Sequence, residues 1–146
     1  HVVTLAYELA TYSIHPLTCE RTVPLSEYRP DPCNTIVRAS VQQCHRLWKS
    51  TFLELNSLDS SLNSCSDQKS VGVTLTPNVG PLKDWFKQKA APGQATWLIV
   101  GPEGGWTVAE LEALTDHSVA PSHMGQPILR QSTAAVAGAV ELIRWR

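Results

Sequence analysis

Residues 96–105 read TWLIVGPEGG, five nearly continuous apolar residues followed by a glycine, a proline, a carboxylate and two more glycines. A run with no polar alternation suits a parallel strand covered on both faces rather than a strand with one wet side. The glycines then impose a bare, tight corner. Thr107 and Glu110 follow as T-x-x-E, a capping box that specifies where the next helix starts, with Leu111 and Leu114 on its inward face. A strand, a glycine corner and a helix start form the place where α/β proteins offer backbone N–H groups to a ligand. The corner has no lysine for a phosphate-binding loop, no G-x-G-x-x-G for a dinucleotide and no G-x-S-x-G for a serine nucleophile. A purely structural role stays open at this point, in which Gly101, Gly104 and Gly105 shape a tight turn and bind nothing.

The remaining 136 positions supply the partners such a strand needs. The chain has 146 residues, 42% hydrophobic and 17% charged, which suits one domain over residues 1–146. Residues 2–9 are apolar at helical spacing and 11–17 (TYSIHPL) predict a short strand ending at Pro16, followed by a polar loop with Glu20 and Arg21. Prolines 30 and 32 forbid regular structure before a helix from Thr35 to about Trp48. The serine-rich stretch 56–70 reads as a loop, with room for a short turn. VGVTL, 71–75, predicts a strand, and Pro81 opens a helix to about Ala90 whose inner face holds Leu82, Trp85, Phe86 and Lys89. The final helix, from Thr133, is rich in alanine, valine and glycine, so its neighbours must approach closely. Alternating helices and apolar strands give an α/β fold with a mainly parallel sheet flanked by helices.

Charge and cysteine usage narrow the chemistry. A formal net charge of -1 supplies no electrostatic footprint for nucleic acid, so an RNA contact needs a local patch, a partner or a missing segment. Cys19, Cys33, Cys44 and Cys65 form no C-x-x-C pair and do not cluster with histidines, which points to reduced intracellular thiols and no metal. His15, His117 and His123 are expected to be surface or packing residues. No apolar run approaches the roughly 20 residues of a membrane span, and no basic-then-apolar leader opens the chain, so a soluble protein is expected.

A second bare loop, HMGQPILRQSTAAVAGA at 123–139, leads through Ile128-Leu129-Arg130 into the small-residue helix. Together the two stretches resemble the RsmE family of ribosomal RNA uridine-N3 methyltransferases, within the SPOUT superfamily. Its pattern is roughly I-G-P-E-G-G-[FW]-[ST]-x-x-E, then L-G-x-x-I-L-R-x-E-T-A. Val100 to Glu110 matches the first part and Met124 to Arg130 the second. Residues 7–23 are similar to the family's E-L-G-[VT]-x-x-I-x-P-L-x-[ST]-E-R-[ST], and Ser40 to Arg46 to its A-x-E-Q-[SC]-x-R helix. The chain departs from the pattern at Ser132, Gln42 and Ala10, where the family has glutamate, glutamate and glycine.

The resemblance implies a SPOUT-type trefoil knot, an exception to ordinary connection rules. Three loops would hold S-adenosylmethionine with their backbones: Leu75, Thr76 and Pro77; Val100, Gly101, Pro102, Glu103, Gly104 and Gly105; and Met124, Gly125, Ile128 and Leu129. A side chain at Gly104 is expected to fill the cofactor slot. Arg130 and Glu103 are the candidate catalytic residues: Arg130 would favour the deprotonated base and hold phosphate or uracil oxygens. Their alternatives are a structural Arg130–Glu103 ion pair and a Glu103 that caps its turn. The implied activity is methylation of a uridine N3 in small-subunit ribosomal RNA, by a homodimer with ribosomal RNA or the ribosomal subunit as partner and no membrane. The second reading is a catalytically silent relative serving as a ribosome-assembly scaffold. The chain starts inside the first helix of such a domain, so an opening strand and an amino-terminal PUA-like barrel are expected to be absent from it. The implied location is intracellular, in the cytoplasm or an organelle with its own ribosomes, such as a mitochondrion.

Overall fold

The computed structural model describes residues 5–6, 8–9, 11–22, 50–65, 68–72, 79–89, 95–125 and 128–144. Its strands are β1 (Ser13–Ile14), β2 (Leu17–Thr18), β3 (Thr51–Phe52), β4 (Asn56–Ser57), β5 (Gln68–Gly72), β6 (Thr96–Val100) and β7 (Ala120–Ser122). Its helices are α1 (Leu58–Ser64), α2 (Leu82–Lys89), α3 (Val108–Asp116) and α4 (Gln131–Arg144). Every strand pairing among the described residues is parallel, as expected of an α/β fold: β1 with β3, β2 with β4, and β5 with both β6 and β7.

Alternation along β6 builds the layers. Ile99 is buried on one face with Leu58 and Leu62 of α1, Leu114 of α3 and Val119, while Leu17, Val79 and Trp106 pack around that cluster. Leu98 points to the other face, where a side chain at Gly138 of α4 would collide with its Cδ2. Leu82 and Phe86 of α2 are buried, and α2 touches both α4 and β5. The sheet is therefore covered on both sides, with α1 and α3 on one face and α2 and α4 on the other. Trp97 shares the Ile99 side of its strand, and His15 lies against it with ring centroids 4.2 Å apart. Burial holds the His15 imidazole below its ordinary pKa, and Ser13 Oγ lies 2.8 Å from its Nε2.

Several expectations are corrected. The strand over 11–17 does not end at Pro16: the ladder skips His15-Pro16 and resumes as β2, because the proline carbonyl still accepts Asn56 N–H at 3.2 Å. Within the stretch read as a loop, residues 56–57 are a strand, 58–64 a helix and 68–70 part of β5. Ser57 caps α1 by accepting Ser60 N–H at 3.2 Å, and Leu58, Ser61, Leu62 and Cys65 bury one helical stripe beneath the serines. The strand expected over 71–75 already begins at Gln68, and residues 73–75 lie outside the described residues. Strand β7 was not anticipated; it is short, contains Pro121 and belongs to the sheet through β5. Lys89 is exposed rather than inward, and at α3 Leu111 is 40% exposed where Leu114 is 2%. The last helix starts at Gln131, two residues before Thr133.

Helices α2 and α3 begin where expected. Pro81 immediately precedes α2. Thr107 and Glu110 complete the capping box of α3: Glu110 N–H donates to Thr107 Oγ1 at 3.3 Å, and Thr107 N–H to Glu110 Oε2 at 2.8 Å. That helix ends in a Schellman motif. Val119 N–H donates to Leu114 O, Ser118 N–H donates to Thr115 O, both at 2.9 Å, and Ser118 adopts a φ of 56°. The expected opening helix is described at Leu5, Ala6 and Glu8, with Leu9 N–H donating to Leu5 O. The expected helix from Thr35 to Trp48 lies outside the described residues.

Candidate ligand site at the ends of three parallel strands

Register places the site. Gly72 at the end of β5 pairs with Val100 of β6 on one side and with Ser122 of β7 on the other. The strands are parallel, so the segments that follow all three leave the same edge of the sheet. With neighbouring strands about 4.8 Å apart, Gly101 and His123 begin their loops roughly 10 Å from each other. The chain after β5 returns to that edge as well: His123 N–H donates to Gly80 O at 3.1 Å, and Leu82 N–H donates to His123 O at 2.9 Å. The three predicted loops thus share one edge at their described ends. Leu75, Thr76 and Pro77, along with Gln126 and Pro127, lie outside the described residues.

The glycine corner has its own internal logic. Gly105 N–H donates to Pro102 O at 2.9 Å, closing a turn over 102–105, and Gly105 has a φ of +74°, which favours glycine. A Cβ at Gly101 would sit 2.7 Å from the Trp106 ring. At Gly104 it would sit 2.9 Å from Arg21 Cβ. A side chain at Gly104 would therefore first meet Arg21. What the corner does leave open is backbone: among the described residues, the N–H groups of Glu103 and Gly104 have no acceptor. Two amides without acceptors, on a turn whose last two residues are glycine, suit a polar or anionic ligand group.

Glu103 and Arg130 are both exposed, and among the described residues the two do not form an ion pair. That removes the structural pairing considered for them. Arg130 immediately precedes α4, where its carbonyl accepts Ala134 N–H at 2.8 Å. Met124 lies against the start of the same packing seam, its Sδ 3.3 Å from the position a Cβ on Gly138 would take. Gly125 N–H donates to His123 Nδ1 at 3.2 Å. Ile128 is exposed and Leu129 half-buried. His117 bridges α3 and α1 through Ala113 O and Asn63 Oδ1, a packing role.

Sequence reading gave Glu110 only its helix cap and Arg21 only a place in a polar loop; both also reach across the chain. Arg21 Nη1 donates to Gly104 O at 3.0 Å, and Glu20 N–H donates to Glu110 Oε1 at 2.8 Å. Burial opposes ionisation of Glu110, but the Thr107 and Glu20 amides, the Thr107 hydroxyl and the Arg21 charge outweigh it and hold the carboxyl below its ordinary value. The Cys19 thiol is pushed up to about 11 by burial and by the negative Glu110, against a Thr22 hydroxyl that pulls the other way. It is therefore protonated and unreactive near neutrality. Cys19 and Cys65 are free thiols. Among the described residues no group of three or more His, Cys, Asp or Glu is disposed to hold a metal, and no helix is long and apolar enough to cross a membrane.

The described residues form a parallel α/β arrangement with helices on both faces of the sheet and three strand ends at one edge, beside a glycine turn with two amides that have no acceptor. The chain belongs to the RNA methyltransferase domain family, which it matches over residues 1–143. It is 45% identical over 60 residues to the ribosomal RNA small subunit methyltransferase E of Mycobacterium bovis, covering 38% of this chain and 23% of that protein. To the ribosomal RNA small subunit methyltransferase E of Synechocystis it is 25% identical over 138 residues, 92% of this chain and 45% of that one. The chain thus spans less than half the length of these relatives. Its fold is similar to that of a ribosomal RNA small subunit methyltransferase E from Neisseria gonorrhoeae bound to S-adenosyl methionine, with a TM-score of 0.84, 24% identity, and coverage of 97% of this chain and 58% of that one. A methyltransferase from Legionella pneumophila in complex with the same cofactor aligns with a TM-score of 0.81 at 22% identity, over 98% of this chain and 59% of that one.

Proposed function

We propose that this domain binds S-adenosylmethionine at the common edge of β5, β6 and β7 and methylates small-subunit ribosomal RNA at a uridine N3. The observation that carries the reading is the register of Gly72 with both Val100 and Ser122, which puts the ends of the three strands at one edge of the sheet. Family membership over residues 1–143, and the relatives named for ribosomal RNA, support the substrate class.

When bound, the cofactor supplies a methyl group on a sulfonium, open to attack by a nucleophilic nitrogen. The chain's share is mostly geometry. The amides of Glu103 and Gly104 would hold polar atoms of the cofactor, and Val100, Gly101, Pro102, Gly105, Met124, Gly125, Ile128 and Leu129 would wall it, with Leu75, Thr76 and Pro77 closing the third side. Aligning acceptor and donor atoms accounts for most of the acceleration in such a displacement. Arg130, exposed and without an ion-pair partner among the described residues, is the catalytic group for the base: its charge favours the N3 anion and steadies a uracil oxygen or a phosphate. Glu103 sits at the tip of the turn, where its carboxylate can accept the N3 proton.

The trefoil knot and a homodimer belong to the same reading. A dimer would bring a second surface to a domain whose net charge of -1 gives RNA little to hold. An intracellular site of action follows from a ribosomal substrate. Calorimetry with S-adenosylmethionine tests the cofactor, and mass spectrometry of ribosomal RNA from cells lacking the protein tests the target. Saturable binding and loss of one N3-methyluridine are expected. No heat at millimolar ligand would sink the enzyme reading and leave a scaffold role.

A further inference from the structure

A four-residue turn reaches the glycine corner from 83 residues earlier in the chain. Thr22 N–H donates to Cys19 O at 3.0 Å and Cys19 N–H donates to Thr22 Oγ1 at 2.9 Å, so residues 19–22 form a closed unit. It presents two groups. Arg21 Nη1 donates to Gly104 O at 3.0 Å, while the aliphatic base of the same side chain fills the space where Gly104 lacks a Cβ. Glu20 N–H donates to Glu110 Oε1 at 2.8 Å, and the other oxygen of that carboxylate takes Thr107 N–H at 2.8 Å and the Thr107 hydroxyl at 3.2 Å. A single carboxylate therefore caps α3 and ties the distant turn to it.

We propose that the Cys19–Thr22 turn is a brace that fixes the Pro102–Gly105 corner in its ligand-binding shape, with Arg21 and Glu110 as positioning residues. The assignment of the ligand as S-adenosylmethionine rests on the reading above; the brace itself rests on the hydrogen bonds. Its physical need lies in the glycines. Gly104 and Gly105 have no side chains with which to anchor themselves and lose more conformational freedom on ordering than other residues. The peptide unit between them is pinned at both ends, its oxygen by Arg21 and its N–H by Pro102 O. Pinning that unit restricts ψ of Gly104 and φ of Gly105, and so restrains the turn that carries the Glu103 and Gly104 amides. An amide pair held in place before the ligand arrives binds more tightly than one that must be ordered on arrival. Glu110 is suited to its part because its carboxyl is held ionised by the groups it bridges.

Three variants separate this role from mere stability. Arg21→Met keeps the aliphatic stem against Gly104 but removes the donor. Arg21→Lys restores one donor, which suffices for a single bond to a carbonyl. Glu110→Gln keeps a T-x-x-Q box for α3 but leaves one oxygen where two amides were served. Amide exchange at Gly105 in the ligand-free protein and calorimetric titration with S-adenosylmethionine are measured on each, beside thermal unfolding. Losing a charge-assisted bond predicts about tenfold faster exchange and about tenfold weaker binding in Arg21→Met, with Tm within about 2 °C of wild type for an exposed residue. Lysine should recover most of both, and Glu110→Gln should fall between. Unchanged exchange at Gly105 in Arg21→Met, or a lysine variant no better than methionine, overturns the brace. Faster exchange in a protein whose wild type does not bind S-adenosylmethionine upholds the brace and sinks the cofactor reading.

Discussion

The two strands that flank β5 end in corners built on opposite principles. After β6 the chain turns on polar contacts: a Gly105–Pro102 hydrogen bond, the capping box of Thr107 and Glu110, and the reach of Arg21 to Gly104. After β7 it turns on main-chain pairing of His123 with Gly80 and Leu82, and the following helix seats itself by bulk removed at Ala134, Gly138 and Ala139. One corner is shaped by what its side chains bond, the other by what its side chains lack.

The largest effect is expected on the packed side. Gly138→Val would drive a branched side chain into Leu98 and toward Met124, lowering unfolding free energy by about 2 kcal/mol in urea titration. A loss below a few tenths would show that α4 can lift away from β6 and would erase the contrast. On the polar side Thr107→Ala, which deletes a cap from a helix already anchored by Leu114, should cost about 1 kcal/mol. The polar corner should also be the acid-sensitive one. Because Glu110 titrates lower in the folded chain than the ordinary 4.5, its contribution is fully present above that value and is lost as pH falls through the folded pKa. Acid unfolding of Glu110→Gln should accordingly be shallower than that of wild type below pH 4.5. The smallest stability change belongs to Arg130→Ala, expected within about 0.5 kcal/mol because the side chain is exposed and unpaired among the described residues. Methylation should fall far more than cofactor affinity in that variant, and a large drop in Tm would return Arg130 to a structural role.

The same contrast explains which parts were legible in the amino-acid sequence. The capping box needs two residues three apart, and the strand TWLIV needs five in a row, so both can be read locally and both stand in the structure. Helix α1 escaped notice because serines at 57, 60, 61 and 64 suggest a loop, while the signal was the spacing of Leu58, Leu62 and Cys65 beneath them. Strand β7 is three residues with a central proline, and its identity as a strand comes from β5, about 50 positions away. At the site, glycines at 101, 104 and 105 marked the corner, but nothing local to Arg21 announces that it meets Gly104. A contact across 83 residues is written in the fold and in no short pattern.

The central position of β5 has a consequence for biosynthesis. Both of its neighbours, β6 and β7, lie downstream of it in the chain. At a synthesis rate of roughly 5–20 residues per second, β5 leaves the ribosome with two unsatisfied edges for a second or more before β6 emerges. Open edges of that kind recruit other nascent chains. The interval between Gly72 and Thr96 is therefore where a chaperone would do this protein the most good.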